Sequence, residues 1–232
     1  VKLLVNTNNF AIGGSAIVNM DYTGLRPRHF GNNNELTSDS DELSQKWYGE
    51  GSLYVSGRNY NTPGGSGCGT GGIGSRYGPA IDSGNKVRAS GNPFDADTPG
   101  SGGYRDYSSS GMGGGVFKLI ANGTCSINGT SKISARGHTG AGGGSINIKC
   151  NTIGGDAAEE VFNLDGGAAQ YYGYSSASRL NRNTAGGGGG CLKLEAANGF
   201  AGEFILPTNS SELSSFKNLW SAKGGAGAVG TS

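Results

Sequence analysis

His138, in Gly137-His138-Thr139-Gly140, is one of only two histidines in the chain. An imidazole close to carboxylates can carry protons in catalysis. The acids nearest to it in sequence are Asp156, Glu159, Glu160 and Asp165. Two-carboxylate cleavage of a glycoside needs a pair held at a set separation across the scissile bond. No adjacent Asp-Asp pair and no Asn-Thr-Asp run occurs. The residue types are present without the motif, so His138 reads as an exposed residue at a corner of the chain.

Asp95, Asp97 and Asp106 raise calcium. The loop that would hold it needs D-x-D-x-D-G spacing and a closing Glu, and neither occurs. Asp95 and Asp97 read instead as turn residues close to Pro93 and Pro99. The glycine runs lack the Gly-Lys-Ser/Thr that follows a phosphate loop. No C-x-x-C pair points to zinc. No catalytic residue, metal or cofactor is expected.

Tyr171, Tyr172 and Tyr174 form the densest aromatic patch, in "AAQYYGYSSASRLNRN" (168–183), with Arg179 and Arg182 nearby. Tyr and Arg are enriched at binding hot spots, and loops on a rigid scaffold carry binding sites. Either these five bind a partner, or the tyrosines cover a flank of the fold.

Three sequons occur, at Asn122, Asn128 and Asn209, and the first two sit on Asn-Gly turns. N-glycans require exposed loops, so these point to secretion. The four cysteines are Cys68, Cys125, Cys150 and Cys191. In a secreted chain they make two disulfides; the other reading is four buried thiols. The chain opens on Val1 without a signal peptide, as expected of a processed form or a piece of a longer protein.

The elements that position these residues are written in glycine. It supplies 47 of 232 residues, about three times the usual share of roughly 7%. Triplets at 113–115, 142–144 and 188–190 each lead into a strand pattern: "VFKLIA", "SINIKC" and "CLKLEA". Phe117, Ile146 and Leu192 share one aligned position, and Leu119, Ile148 and Leu194 share the next buried one. That is period-2 alternation with one buried face. A second strand follows each time, aligning Ile133, Phe162 and Trp220, then Ala135, Leu164 and Ala222. The triplets recur at unequal spacing, and insertions of unequal length cost little.

Short strands in aligned columns predict an all-β fold, a right-handed parallel β-helix or solenoid with glycine-rich loops. The glycine tracts themselves can pack as polyproline-II-like strands. Residues 1–60 read as degenerate first coils and a cap, including a short N-terminal helix from Ser38 or Asp39 through Trp47. Residues 61–232 read as one continuous glycine-rich domain.

The pattern resembles the glycine-rich right-handed parallel β-helices of secreted surface and adhesin-type proteins of microbes and protists. The resemblance covers residues 64–230. It rests on "YGPAIDSGN" (77–85), "FDADTPGSGG" (94–103), the three triplet-strand units and the "ISARG"-type second strands. It implies a non-enzymatic, secreted or cell-surface structural or adhesive protein, whose loops serve self-association or bind surface proteins or glycans. The rivals are a polysaccharide-active lyase or hydrolase on the same scaffold, and a glycine-rich ligand-binding domain of a receptor. Net charge is +1 with no basic run, so nucleic acid is not an expected partner. No apolar stretch reaches the roughly 20 residues of a membrane span.

The strand alignment bears on the cysteines. Cys150 is in register with Ala121 of the preceding unit, and Cys125 lies just round the Asn122-Gly123 turn. Adjacent strands lie about 4.8 Å apart, within disulfide reach. That pairs Cys125 with Cys150 and leaves Cys68 with Cys191, both against glycine tracts.

Overall fold

The computed structural model describes residues 1–25, 67–69, 71, 89, 91–92, 94–103, 111–157, 159–169, 171–172, 182–183, 186–205 and 218–225. Among them the chain is nearly all β. The strands are β1 (Lys2–Thr7), β2 (Phe10–Ile12), β3 (Ile17–Asn19), β4 (Val116–Ala121), β5 (Thr124–Ile127), β6 (Lys132–Ser134), β7 (Ser145–Cys150), β8 (Thr152–Gly154), β9 (Phe162–Asn163), β10 (Tyr171–Tyr172), β11 (Arg182–Asn183), β12 (Cys191–Ala196) and β13 (Trp220–Ser221). The described residues hold no α-helix, only one 3-10 turn at Gly202–Phe204. The helix expected from Ser38 or Asp39 through Trp47 lies outside the described residues.

Three separate sheets are parallel throughout. The first runs β1-β4-β7-β12, the second β2-β5-β8, and the third β3-β6-β9-β13. The chain visits them in the same order on each passage. An isolated bridge from Ile153 to Phe200 carries the second sheet one step further.

The registers follow from the alternation. Phe117 pairs with Leu3 and Ile146, and Ile146 with Leu192. Leu119 pairs with Val5 and Ile148, and Ile148 with Leu194. Phe117, Leu119, Ile146 and Ile148 are fully buried in one core with Ile127, Ile133, Ile153, Phe162 and Leu164. Each such side chain contributes roughly 1.5–3 kcal/mol. Leu192 and Leu194 are only partly buried, because among the described residues β12 pairs on one side alone. Trp220 takes its expected place opposite Phe162 yet is exposed, for the same reason.

The expected unit of two strands is one strand short. Asn122-Gly123 turns directly into β5, and Asn151 leads into β8. These strands of three or four residues make the second sheet. Asparagines line this corner: Asn151 Nδ2 donates to Asn122 O, the Asn198 N–H donates to Asn151 O at 2.6 Å, and the Thr124 N–H donates to Asn9 Oδ1 at 2.9 Å.

The triplets have a steric cause. The third glycine of each donates its N–H across the passage just finished: Gly115 to Met20 O, Gly144 to Ala135 O and Gly190 to Leu164 O, at 2.7–2.8 Å. The middle glycine then lies flat against a carbonyl. A Cβ on Gly114 would stand 2.0 Å from Ala135 O, one on Gly143 2.0 Å from Leu164 O, and one on Gly189 1.9 Å from Ala222 O. No side chain fits there, so glycine recurs before β4, β7 and β12.

Candidate functional site

The sequence places its aromatic patch between β9 and β12, and glycine fixes the base of that excursion. The Gly166 N–H donates to Lys223 O at 2.8 Å, Gly167 to Ala141 O at 2.8 Å, and Gly143 to Gly188 O at 2.9 Å. The Gly187 N–H donates to Gly167 O at 2.9 Å and so joins the two arms. Beyond that link the arms form an antiparallel ladder, Tyr171 opposite Asn183 and Tyr172 opposite Arg182. The backbone thus brings Tyr171, Tyr172 and Arg182 onto one two-stranded ribbon. Tyr174 and Arg179 lie outside the described residues.

Three of the four acids weighed for catalysis join one passage of chain to another. Asp165 accepts the Ser221 hydroxyl at 2.6 Å and the Lys223 N–H at 2.7 Å. Asp156 Oδ1 accepts the Gly129 N–H at 3.3 Å. Asn218 Nδ2 reaches Glu159 Oε1 at 3.4 Å. His138 is not an exposed corner residue. It is half-buried, packed edge-on to Tyr22 with ring centroids 4.9 Å apart, and its backbone N–H donates to Met112 O. Among the described residues no group of three His, Cys, Asp or Glu could hold a metal ion.

Asp95 and Asp97 form ion pairs, with Lys118 at 3.5 Å and Lys2 at 3.4 Å. They lash residues 94–100 across the outer side of the first sheet, where Ser145 Oγ donates to Thr98 O and Asn147 Nδ2 donates to Asp95 O. The Asx turn belongs to Asn92, whose Oδ1 accepts the Phe94 N–H at 3.0 Å. Asp106 lies outside the described residues.

The cysteines lie in two disulfide pairs. Cys125 joins Cys150 with Cα atoms 6.1 Å apart, and Cys68 joins Cys191 at 5.1 Å. Cys125 sits in the second sheet and Cys150 at the end of the first, so that bond closes the asparagine corner. The Asn122 sequon is exposed on its turn. Asn128 is half-buried, and its Oδ1 accepts the Asp156 N–H at 3.2 Å. Asn209 lies outside the described residues.

Sequence reasoning missed one constellation. The third sheet ends in Asn19-Met20-Asp21, Ser134-Ala135-Arg136, Asn163-Leu164-Asp165 and Ser221-Ala222-Lys223. In both N-x-D copies the Asn Oδ1 accepts the Asp N–H, at 2.8 Å for Asp21 and 3.1 Å for Asp165. In both, the carboxylate takes the Ser hydroxyl and the basic residue's N–H on the next passage. Asp21 also holds the Arg136 guanidinium, at 2.8 Å. The Asp21 hydrogen bond is the main cause that raises the Arg136 pKa, with the Asp165 charge adding to it. The visible signal was N-x-D twice and S-A-basic twice.

No protein-family model, curated protein or solved structure matches the chain.

Proposed function

We propose that the chain is a non-enzymatic, extracellular structural or adhesive protein. Its three sheets are the faces of one right-handed β-solenoid, a rigid scaffold presenting loops to a surface, a glycan or another copy. One observation carries the reading: successive passages deliver strands to the same three sheets, in the same order and in constant register. A stack of that kind propagates by nearest-neighbour contacts. Parallel crossovers are right-handed in about 98% of cases.

Further support comes from the acids, since Asp156, Glu159 and Asp165 are spent on contacts between passages. Two disulfides suit an oxidising compartment. Among the described residues no helix is long and apolar enough to cross a membrane. The loop of Tyr171, Tyr172, Tyr174, Arg179 and Arg182 is the contact surface for glycans or surface proteins. Tyr rings cover sugar faces, and Arg bonds their hydroxyls and carboxylates.

Two assays test this. The protein is incubated with acidic and neutral polysaccharides, and new reducing or unsaturated ends are measured. Turnover rejects the scaffold in favour of the enzyme. Glycan-array binding is then compared between wild type and Tyr172→Ala with Arg182→Ala. Binding that the double variant retains in full places the contact elsewhere.

A further inference from the structure

We propose that copies of this chain stack head to tail, the β12 and β13 end of one molecule against the β1, β2 and β3 end of the next. This rests on the solenoid reading above and names its partner as a second copy. The register is the one that joins β4 to β7 within a molecule.

Both ends are open. Among the described residues, β1, β2 and β3 pair only with β4, β5 and β6, while β12 and β13 pair only with β7 and β9. A parallel edge with unpaired N–H and C=O groups is a template for another strand. Among the described residues, apolar exposure is concentrated in the same places. Seven of the eight exposed large apolar side chains fall on the first or last passage, among them Leu3, Leu4, Ile17, Ile205 and Trp220. The eighth, Phe94, lies on the 94–100 segment across the outer side of the first sheet.

Two features select the occupant. The first is column chemistry. Continuing the observed register sets Leu192 beside Leu3 of the next copy, Leu194 beside Val5, Phe200 beside Phe10 and Trp220 beside Val18. These four inward positions then meet apolar neighbours, as Phe117 meets Ile146 inside the molecule, while Ala196 meets Thr7.

The second is charge order. Along the third sheet the residues read Asp21, Arg136, Asp165, Lys223, which is acid, base, acid, base. An even number of alternating positions leaves opposite charges at the two ends. Lys223 is exposed, and among the described residues its ammonium forms no ion pair. Head-to-tail stacking brings it toward Asp21 of the next copy, as Arg136 approaches Asp165. Tail-to-tail contact sets the unpaired Lys223 against Lys223, while at the other end the Asp21 carboxylate is buried and already holds Arg136. Column continuity and the free Lys223 charge together select a heterologous contact that does not close, and such contacts build open filaments.

The purified full chain is followed by sedimentation velocity over a concentration series and by negative-stain microscopy. The expected result is an open-ended mass series and thin filaments. Trp220→Arg blocks one end and Leu3→Arg the other. Both side chains are exposed, and circular dichroism checks that each variant keeps its fold. Each variant alone is expected to be monomeric. Mixed in equal amounts, they are expected to form a dimer of twice the monomer mass and nothing larger. A wild-type chain that stays monomeric at every concentration overturns the proposal whatever the variants do. So does either variant associating on its own, which means an end pairs with its own kind. A monomer that neither cleaves polysaccharide nor loses glycan binding leaves the scaffold reading standing without this inference.

Discussion

The Asp21 carboxylate closes on Arg136 from two directions, its Oδ1 accepting the backbone N–H at 2.7 Å and its Oδ2 the side-chain Nε at 2.9 Å. The Asp21 side chain is 5% exposed, against 45% for Arg136. The carboxylate is thus the buried partner, holding an N–H, a hydroxyl and a guanidinium at once. Removing it strands all three donors.

Asp21→Ala is expected to cost about 1–3 kcal/mol, the range for hydrogen bonds to a charged group. Asp165→Ala should cost nearly as much without any guanidinium partner, because its Ser221 and Lys223 backbone contacts match those of Asp21. Arg136→Ala should cost less than either, since its exposed half of the ion pair is screened. Denaturant unfolding midpoints give the order. Unfolding of both Asp variants at the wild-type midpoint would show that these carboxylates are ornamental.

The middle glycines give a sharper contrast. Gly143→Ala forces a Cβ to within 2.0 Å of Leu164 O, a backbone atom that cannot swing aside. The expected loss is about 3 kcal/mol, at the upper end for overpacking. Gly13→Ala meets nothing nearer than the Asn128 Cβ, at 3.8 Å. There the smaller entropy of the unfolded chain should leave stability unchanged or raise it by about 0.4–1 kcal/mol. Equal melting temperatures for the two variants would remove the steric account of the triplets.

The columns were legible because the triplets punctuate the chain. They fix where each first-sheet strand starts, so the pairs Phe117 with Ile146 and Ile146 with Leu192 follow by counting. The cysteine partners then follow from register. The second sheet was not legible. Its strands, Phe10–Ile12, Thr124–Ile127 and Thr152–Gly154, are three or four residues long beside asparagine turns, too short for an alternation to show, and turn chemistry dominates any window laid over them. The first passage was legible only as degenerate coils, because β1 carries no glycine triplet on which to align it. The Asp21–Arg136 link escaped because its pattern repeats over two passages rather than one.

The disulfides should open in a fixed order. Cys125 and Cys150 are both buried in the core, whereas Cys68 is only half-buried. A mild reductant should therefore reach Cys68–Cys191 first. The chain-entropy model gives that bond roughly 5 kcal/mol for its long loop and Cys125–Cys150 about 3.5 kcal/mol. Non-reducing peptide mapping after timed alkylation reads both the pairing and the order. A Cys68–Cys125 peptide, or early labelling of Cys125, contradicts the arrangement.

The last expectation concerns position within the stack. Ile146 and Leu192 occupy one column and differ by a single step along it. Ile146 has neighbours on both sides, Phe117 and Leu192, and is fully buried. Leu192 has only Ile146 among the described residues and is partly buried. An aspartate at 146 has neither water nor a partner for its charge, so Ile146→Asp should unfold the protein. Leu192→Asp can turn its carboxylate toward the open end. It should leave a folded chain, destabilised by the roughly 1.5–3 kcal/mol that burying a leucine is worth, or less because burial is incomplete. Limited proteolysis with far-UV circular dichroism separates the two. A protease-resistant Ile146→Asp, or equal collapse of both variants, would mean that these side chains do not share one column.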